Sequence, residues 1–305
     1  MVGQSMFTKP FTKLKKVGED RSITAQYKQA LDVLSIQRHS NTRMAVVVHL
    51  YYSESWPSIV SRLQHISGQQ FDLFVTLPTS GQAFITVIKA DYPHAYITIV
   101  PNRGRDVLPF LIVAQAVQQA GYTFLLKLHS KKSTHRTDGK EWLCSMLDNL
   151  LPANRTVIAE LVETLEKSDT GIIGPTDQYL PLTVNFEANG THMTNILTSI
   201  YGTAKTYDVL QTHRPDYGFF AGTMFWARLD SLASLLDQVF GVKCFETEVG
   251  QIDATFAHAM ERVFCLVSQI ENRVLYEISS TGVRPIDYGS GTAPDWSKVY
   301  IEPEA

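Results

Sequence analysis

Met44-Ala45-Val46-Val47-Val48-His49-Leu50-Tyr51-Tyr52 is the stretch from which the fold can be read. It is the longest apolar run in the chain, it is rich in valine, and it ends in a histidine and two tyrosines. A short continuous apolar run of this kind fits a strand buried on both faces. Working outward, residues 57–66 carry Ile59, Val60, Leu63 and Ile66 at helical spacing. Residues 71–77 read as a strand and 81–90 as a helix. Residues 95–100 are again a strand. Residues 106–120 are a helix with Pro109 in its first turn, where proline is tolerated. A strand at 122–128, a helix at 139–150, a helix capped by Asn154 and running to 167, and a short strand at 171–173 continue the alternation. Strands alternating with amphipathic helices predict an α/β fold of Rossmann type, a mostly parallel sheet with helices on both faces.

The pattern weakens towards the C-terminus. Residues 185–192 read as loop, followed by a helix to 201. Residues 217–228 read as a strand or hairpin, 230–239 and 251–262 as helices, and 263–267 as a last strand. Upstream, Leu31, Val33, Leu34 and Ile36 mark a helix over 23–36. The expected organisation is a basic arm and helix at 1–43, one domain at 44–280, and an extended tail at 281–305.

Composition narrows the class. The 305 residues are 44% apolar and 19% charged, values that fit a soluble globular chain and exclude a collagen-like or disordered one. No apolar run reaches the ~18–20 residues of a membrane-spanning helix. No apolar segment followed by small residues marks a secretory signal. Three scattered cysteines make neither a disulfide framework nor a CxxC metal site. A cytoplasmic location follows as the expectation. The net charge of −3 argues against nucleic-acid binding. Residues 1–43 hold eight Lys or Arg against three Asp or Glu. That arm is either a solvated linker or a peripheral contact with the inner face of the cytoplasmic membrane.

In open α/β sheets ligands bind beyond the carboxyl ends of the strands. This rule selects His49 and Tyr51, whose aromatic surface suits a nucleobase. It selects Asn102, Gly104, Arg105 and Asp106, where glycine permits close backbone approach, arginine forks onto phosphate and a helix begins. It also selects His129, Lys131 and Lys132, cations placed where negative charge on a leaving diphosphate would develop. In the glycine- and aromatic-rich run 217–228, Phe220, Gly222 and Trp226 suit a sugar platform. Further on, Asp253 and Glu248 are candidate bases, and His258 and Arg262, which share a helix face at i, i+4 spacing, are candidate acceptor-binding residues together with Phe220, Gly222 and Trp226. There is no GxGxxG after a strand, no GxxxxGK[ST], no GxSxG and no Asp-x-Asp after a strand. Chemistry without a metal is therefore expected, with Mg²⁺ or Mn²⁺ still open.

The segments HLYYSESW (49–56), NRGRDVLPFL (102–111), KLHSKKS (127–133), GIIGP (171–175), GFFAGTMFWAR (218–228) and QIDATFAHAMERVF (251–264), taken together and in this order, resemble the rhamnan synthesis F family of polysaccharide-building glycosyltransferases. Where that family tends to read Gly-Thr after the aspartate, this chain has Ala254-Thr255. The resemblance implies a GT-A-like fold and a nucleotide-sugar donor, dTDP-rhamnose or a UDP-hexose such as UDP-galactose. It implies a lipid-linked glycan acceptor in bacterial O-antigen, capsule or rhamnan assembly. On that footing His49 and Tyr51 hold the nucleotide, and Asn102, Arg105 and Asp106 hold donor phosphate and sugar. His129, Lys131 and Lys132 stabilise the departing diphosphate. Asp253 is the acceptor-side base or hydroxyl binder, with Glu248 second. The competing reading is a transferase-like module without catalysis that grips glycan or scaffolds an assembly complex.

Overall fold

The structure, a computed structural model, describes residues 41–130, 139–184, 186–212 and 217–287. Its strands are β1 (Met44–His49), β2 (Asp72–Pro78), β3 (Tyr96–Val100), β4 (Phe124–His129), β5 (Thr170–Pro175), β6 (Tyr179–Pro181), β7 (Gly218–Phe220), β8 (Phe225–Arg228), β9 (Val274–Ser279) and β10 (Gly282–Pro285). Its α-helices are α1 (Trp56–Leu63), α2 (Ile85–Asp91), α3 (Val107–Gln119), α4 (Gly139–Leu150), α5 (Arg155–Glu166), α6 (Phe186–Tyr207), α7 (Ala233–Leu236) and α8 (Phe256–Ile270). Eight strands form one sheet in the order β10-β9-β5-β8-β4-β1-β2-β3, and β6 pairs with β7 in a small separate ribbon. β1, β2, β3 and β4 are mutually parallel, as are β5 and β9. The expected Rossmann-like sheet is therefore present.

Alternation along each strand divides the core into two layers. From β1, Ala45 and Val47 face α3, α6, α7 and α8, while Met44, Val46 and Val48 face α1, α2, α4 and α5. That double burial is why the strand is apolar at every position rather than at every second one. The expected cap of α5 is present, with the Thr156 N–H donating to Asn154 Oδ1 at 3.0 Å.

The last third departs from the expectations. Residues 186–192 are the first turns of α6 rather than loop, anchored by buried Asn189 and Met193. The helix is interrupted at Gly202, whose φ of 78° is left-handed. Residues 217–228 are not a hairpin. β7 pairs with β6, whereas β8 enters the main sheet antiparallel between β4 and β5. Residues 263–267 continue α8 to Ile270 instead of forming a strand. Residues 230–239 form a 3-10 turn at Leu229–Leu232 and only one turn of α-helix. The sheet also runs past residue 280, because β10 pairs with β9. The basic arm, the helix expected over 23–36 and the tail from 288 lie outside the described residues. Among the described residues no helix is long and apolar enough to cross a membrane.

Candidate active site

The chain runs from β1 through β2 to β3 on one side, then crosses back to lay β4 on the other side of β1. The strand order reverses between β1 and β4, the position at which open α/β sheets bind ligands. Their last residues, His49 and His129, are register partners there. The loop before β8 reaches the same edge, because β8 is antiparallel and starts beside Lys127.

Four groups lock together at this point. Lys127, fully buried in β4, donates from Nζ to Asp106 Oδ2 at 2.5 Å and to the Thr223 carbonyl at 2.7 Å. The Thr223 hydroxyl donates to the same Asp106 oxygen at 2.7 Å. His129 Nε2 lies 2.7 Å from the Gly222 carbonyl and 4.0 Å from Asp106 Oδ2. Burial alone would raise the Asp106 carboxyl, but the His129 and Lys127 charges and the two hydrogen bonds overcome it and hold it well below the usual carboxylate range. Burial lowers the Lys127 ammonium against the pull of Asp106. The rings of Phe110 and Phe225 flank its charge at 5.2 and 6.0 Å.

His49 forms the floor. Burial lowers its pKa to about 3; Asp106 pulls the other way, and His129 and Lys127 add to the lowering. It is therefore neutral near pH 7, with Nδ1 2.9 Å from the Thr76 hydroxyl. Tyr51 stands above the floor, 42% exposed, its ring edge-on to Tyr52 at 4.9 Å. Ser130 Oγ accepts the N–H groups of both Tyr51 and Tyr52 at 2.8 Å, which fixes the turn.

The opposite wall is the loop 245–254 and the start of α8. Glu248 accepts the Arg105 N–H at 3.2 Å and lies 3.8 Å from Arg105 Nε. Arg105 Nη2 also bonds the Gln251 carbonyl. Glu248 is thus a latch for Arg105, which weakens its candidacy as a base. Asp253 Oδ1 accepts Asn189 Nδ2 at 3.0 Å and its neighbour's Ala254 N–H at 2.8 Å, while no hydrogen bond from the described residues reaches Oδ2. Among the described residues five non-glycine positions have positive φ, and Arg105 (53°), Thr223 (50°) and Ala254 (65°) all border this site. For β-branched Thr223 that conformation is strained, and such strain collects at functional sites.

Several expected site residues serve other ends. Trp226 is fully buried on the far layer, its Nε1 donating to the Leu150 carbonyl at 2.9 Å, and offers no sugar platform. Phe220 is core, edge-on to Tyr179. Arg262 is buried over the Phe219 ring at 4.6 Å and donates to the His258 carbonyl of its own helix. Gly222 is buried, and its N–H donates to Glu261 Oε1 at 2.6 Å. Asp106 does not cap α3 with its side chain. Gly104 needs its missing side chain for packing rather than for phosphate: an added Cβ would lie 2.5 Å from Phe245 Cδ1. Asn102 is exposed at the rim. Lys131 and Lys132 lie outside the described residues.

The Gly104 environment makes a paired test. Gly104 and Gly250 both have positive φ, at 68° and 82°, but a Cβ at Gly250 meets nothing within 4 Å. Gly250→Ala is expected to cost about 1 kcal/mol for the backbone alone. Gly104→Ala adds overpacking and should cost about 2–4 kcal/mol in total. Equal urea midpoints for the two variants would show that Phe245 yields freely.

Reading the sequence assigned no individual role to Lys127, Thr223 or Ser130, which lie inside segments it singled out, and missed Thr76 and Asn189. Lys127 carried a signal, a lone cation inside the apolar strand Phe124–His129; Asn189 carried none. Among the described residues no group of three or more His, Cys, Asp or Glu is placed to hold a metal ion.

The sequence model of the family described as "Rhamnan synthesis protein F" matches residues 15–272. The chain belongs to this family. Two curated relatives, both named "Uncharacterized protein WxcX" and from two strains of Xanthomonas campestris pv. campestris, are 41% identical over 221 residues. The match covers 71% of this chain but 30% of each relative, so the chain spans less than a third of their length. Membership of the rhamnan synthesis F family ties the chain to polysaccharide synthesis.

Proposed function

We propose that this domain is a GT-A-like glycosyltransferase that moves a hexosyl or 6-deoxyhexosyl group from a nucleotide diphosphate sugar to a glycan hydroxyl. The observation that carries the reading is the meeting of His49, His129, Asp106 and Thr223 at the strand-order reversal, next to exposed Tyr51. In this reading Tyr51 stacks the nucleobase over the His49 floor. His129, held by the Gly222 carbonyl, and the basic residues that follow it, Lys131 and Lys132, stabilise the leaving diphosphate without a metal. Arg105 reaches phosphate once released from Glu248. Asp253, with one oxygen pinned and the other open, takes the proton of the attacking hydroxyl. The donor is dTDP-rhamnose or a UDP-hexose, and the acceptor a lipid-linked glycan brought to a membrane surface that the basic arm touches.

Calorimetric titration with UDP, dTDP and GDP, in EDTA and then with Mn²⁺, tests this. Binding of one nucleotide in EDTA supports a metal-independent transferase, and binding only with Mn²⁺ replaces the leaving-group assignment with a cation. No nucleotide binding moves the domain to the second reading, a glycan-binding or scaffolding module. One observation favours that module: the Asp106 oxygen that would serve the donor is already shared by Lys127 and Thr223. In the same titration Tyr51→Ala should weaken the bound nucleotide about 10-fold, the equivalent of one lost stacking contact. Unchanged affinity would remove Tyr51 from the nucleotide site.

A further inference from the structure

Every residue of α8 is buried except His258 and Glu261. They lie one turn apart on a single face. Glu261 faces the loop before β8, where it takes the Gly222 N–H. His258 closes a capping box at the start of the helix, with an imidazole where Glu or Gln is usual. Its Nδ1 receives the Thr255 N–H at 3.3 Å and lies 2.8 Å from the Thr255 hydroxyl, which itself accepts the His258 N–H.

A nitrogen that accepts an N–H carries no proton of its own. The ring proton is therefore on Nε2, and Nε2 is buried with no protein partner. A buried donor left unpaired is unfavourable, so the site gains when an acceptor arrives. Asp253 stands beside the ring, its Oδ1 3.9 Å from Nδ1, with Oδ2 open. The charges of Arg105 and Arg262 oppose a second ring proton, and those of Asp253 and Asp106 favour one.

Resting on the transferase reading above, we infer that His258 is a tautomer-locked hydrogen-bond donor that, together with Asp253, recognises a hydroxyl of the glycan acceptor. The pairing fixes the chemical class. A carboxylate only accepts and a neutral Nε2–H only donates. A hydroxyl answers both, giving its proton to Asp253 and taking the Nε2–H on its oxygen. A phosphate would be repelled by Asp253, and an ammonium would leave the Nε2–H unanswered. Burial and the two arginines lower the His258 pKa to about 4 against the pull of Asp253, consistent with a neutral ring. His258 is thus a specificity residue and not the base. Nε2 is closed to solvent, so a ligand reaches it only when the groups that cover it shift.

The test pairs two isosteric variants. His258→Gln and His258→Glu both suit this position of a capping box, but only Gln keeps an N–H donor. Binding is read by ligand-observed NMR with methyl α-rhamnoside and methyl α-galactoside on the full chain, with thermal unfolding as the fold control. The expected result is sugar binding close to that of the unaltered protein for Gln and about 10-fold weaker for Glu, with similar unfolding midpoints. Nitrogen-15 NMR of the unaltered protein should place the ring proton on Nε2. A proton on Nδ1, equal sugar binding by the two variants, or no glycoside binding by the unaltered protein overturns the inference. Nucleotide titration of the same samples separates the readings: retained nucleotide binding leaves the transferase standing while this assignment fails, and its loss in the unaltered protein fails the transferase itself.

Discussion

Lys127→Met is expected to destabilise the protein by about 3–5 kcal/mol, because it leaves the Asp106 carboxylate largely buried without its closest cation. Methionine keeps the length of the stem between Phe110 and Phe225, so the loss reports charge rather than volume. The partner change sharpens the test. Asp106→Leu combined with Lys127→Met removes both charges, and an apolar replacement of a buried pair is often neutral. The double variant should recover most of the stability lost by Lys127→Met alone, as chemical denaturation will read. If Lys127→Met unfolds at the same denaturant concentration as the unaltered protein, the pair does not hold the site together. Acid should act in the same direction. Asp106 is held below its ordinary range, so its contribution is complete above about pH 4 and fades as pH falls towards its depressed folded value.

The second large effect is on turnover. Asp253→Asn should lower kcat about 10²- to 10⁴-fold in an inverting transfer, the usual weight of a positioned general base. The substitution retains an oxygen that accepts the Asn189 Nδ2 and Ala254 N–H groups, so folding should be spared. A variant with normal melting and normal transfer would end the assignment of Asp253 as base.

The parallel part of the sheet was legible because each strand is an apolar run and each helix is striped. β1 to β4 fell where those runs predict them. α8 misled for the opposite reason. A helix buried nearly all round has no polar stripe, so Val263–Val267 reads as a strand. The start of α6 was hidden by Glu187, Asn189 and Thr191, polar residues that tertiary contacts hold in a helix. At the site, the strand-end rule found His49 and His129, because it depends on topology alone. It could not find Thr223 or Asn189, whose roles exist only once β8 and α6 are in place. The composition of the run 217–228 misplaced Trp226, since sequence does not say which layer of the core an aromatic on β8 will enter.

The position of β8 has a consequence for how the chain is made. On one flank stands a block of strands complete by residue 129; on the other, β5 is complete by residue 175, and the two have no shared edge until Phe225–Arg228 slides between them. During synthesis both blocks therefore wait with an open edge for a strand encoded some fifty residues after β5. Pairings of such high contact order form slowly and leave edges exposed to wrong partners meanwhile. The same strand draws Thr223 onto Asp106 and Lys127. Joining of the two blocks and assembly of the Asp106–Lys127–Thr223 cluster are one event, and a polypeptide released before residue 228 would have neither.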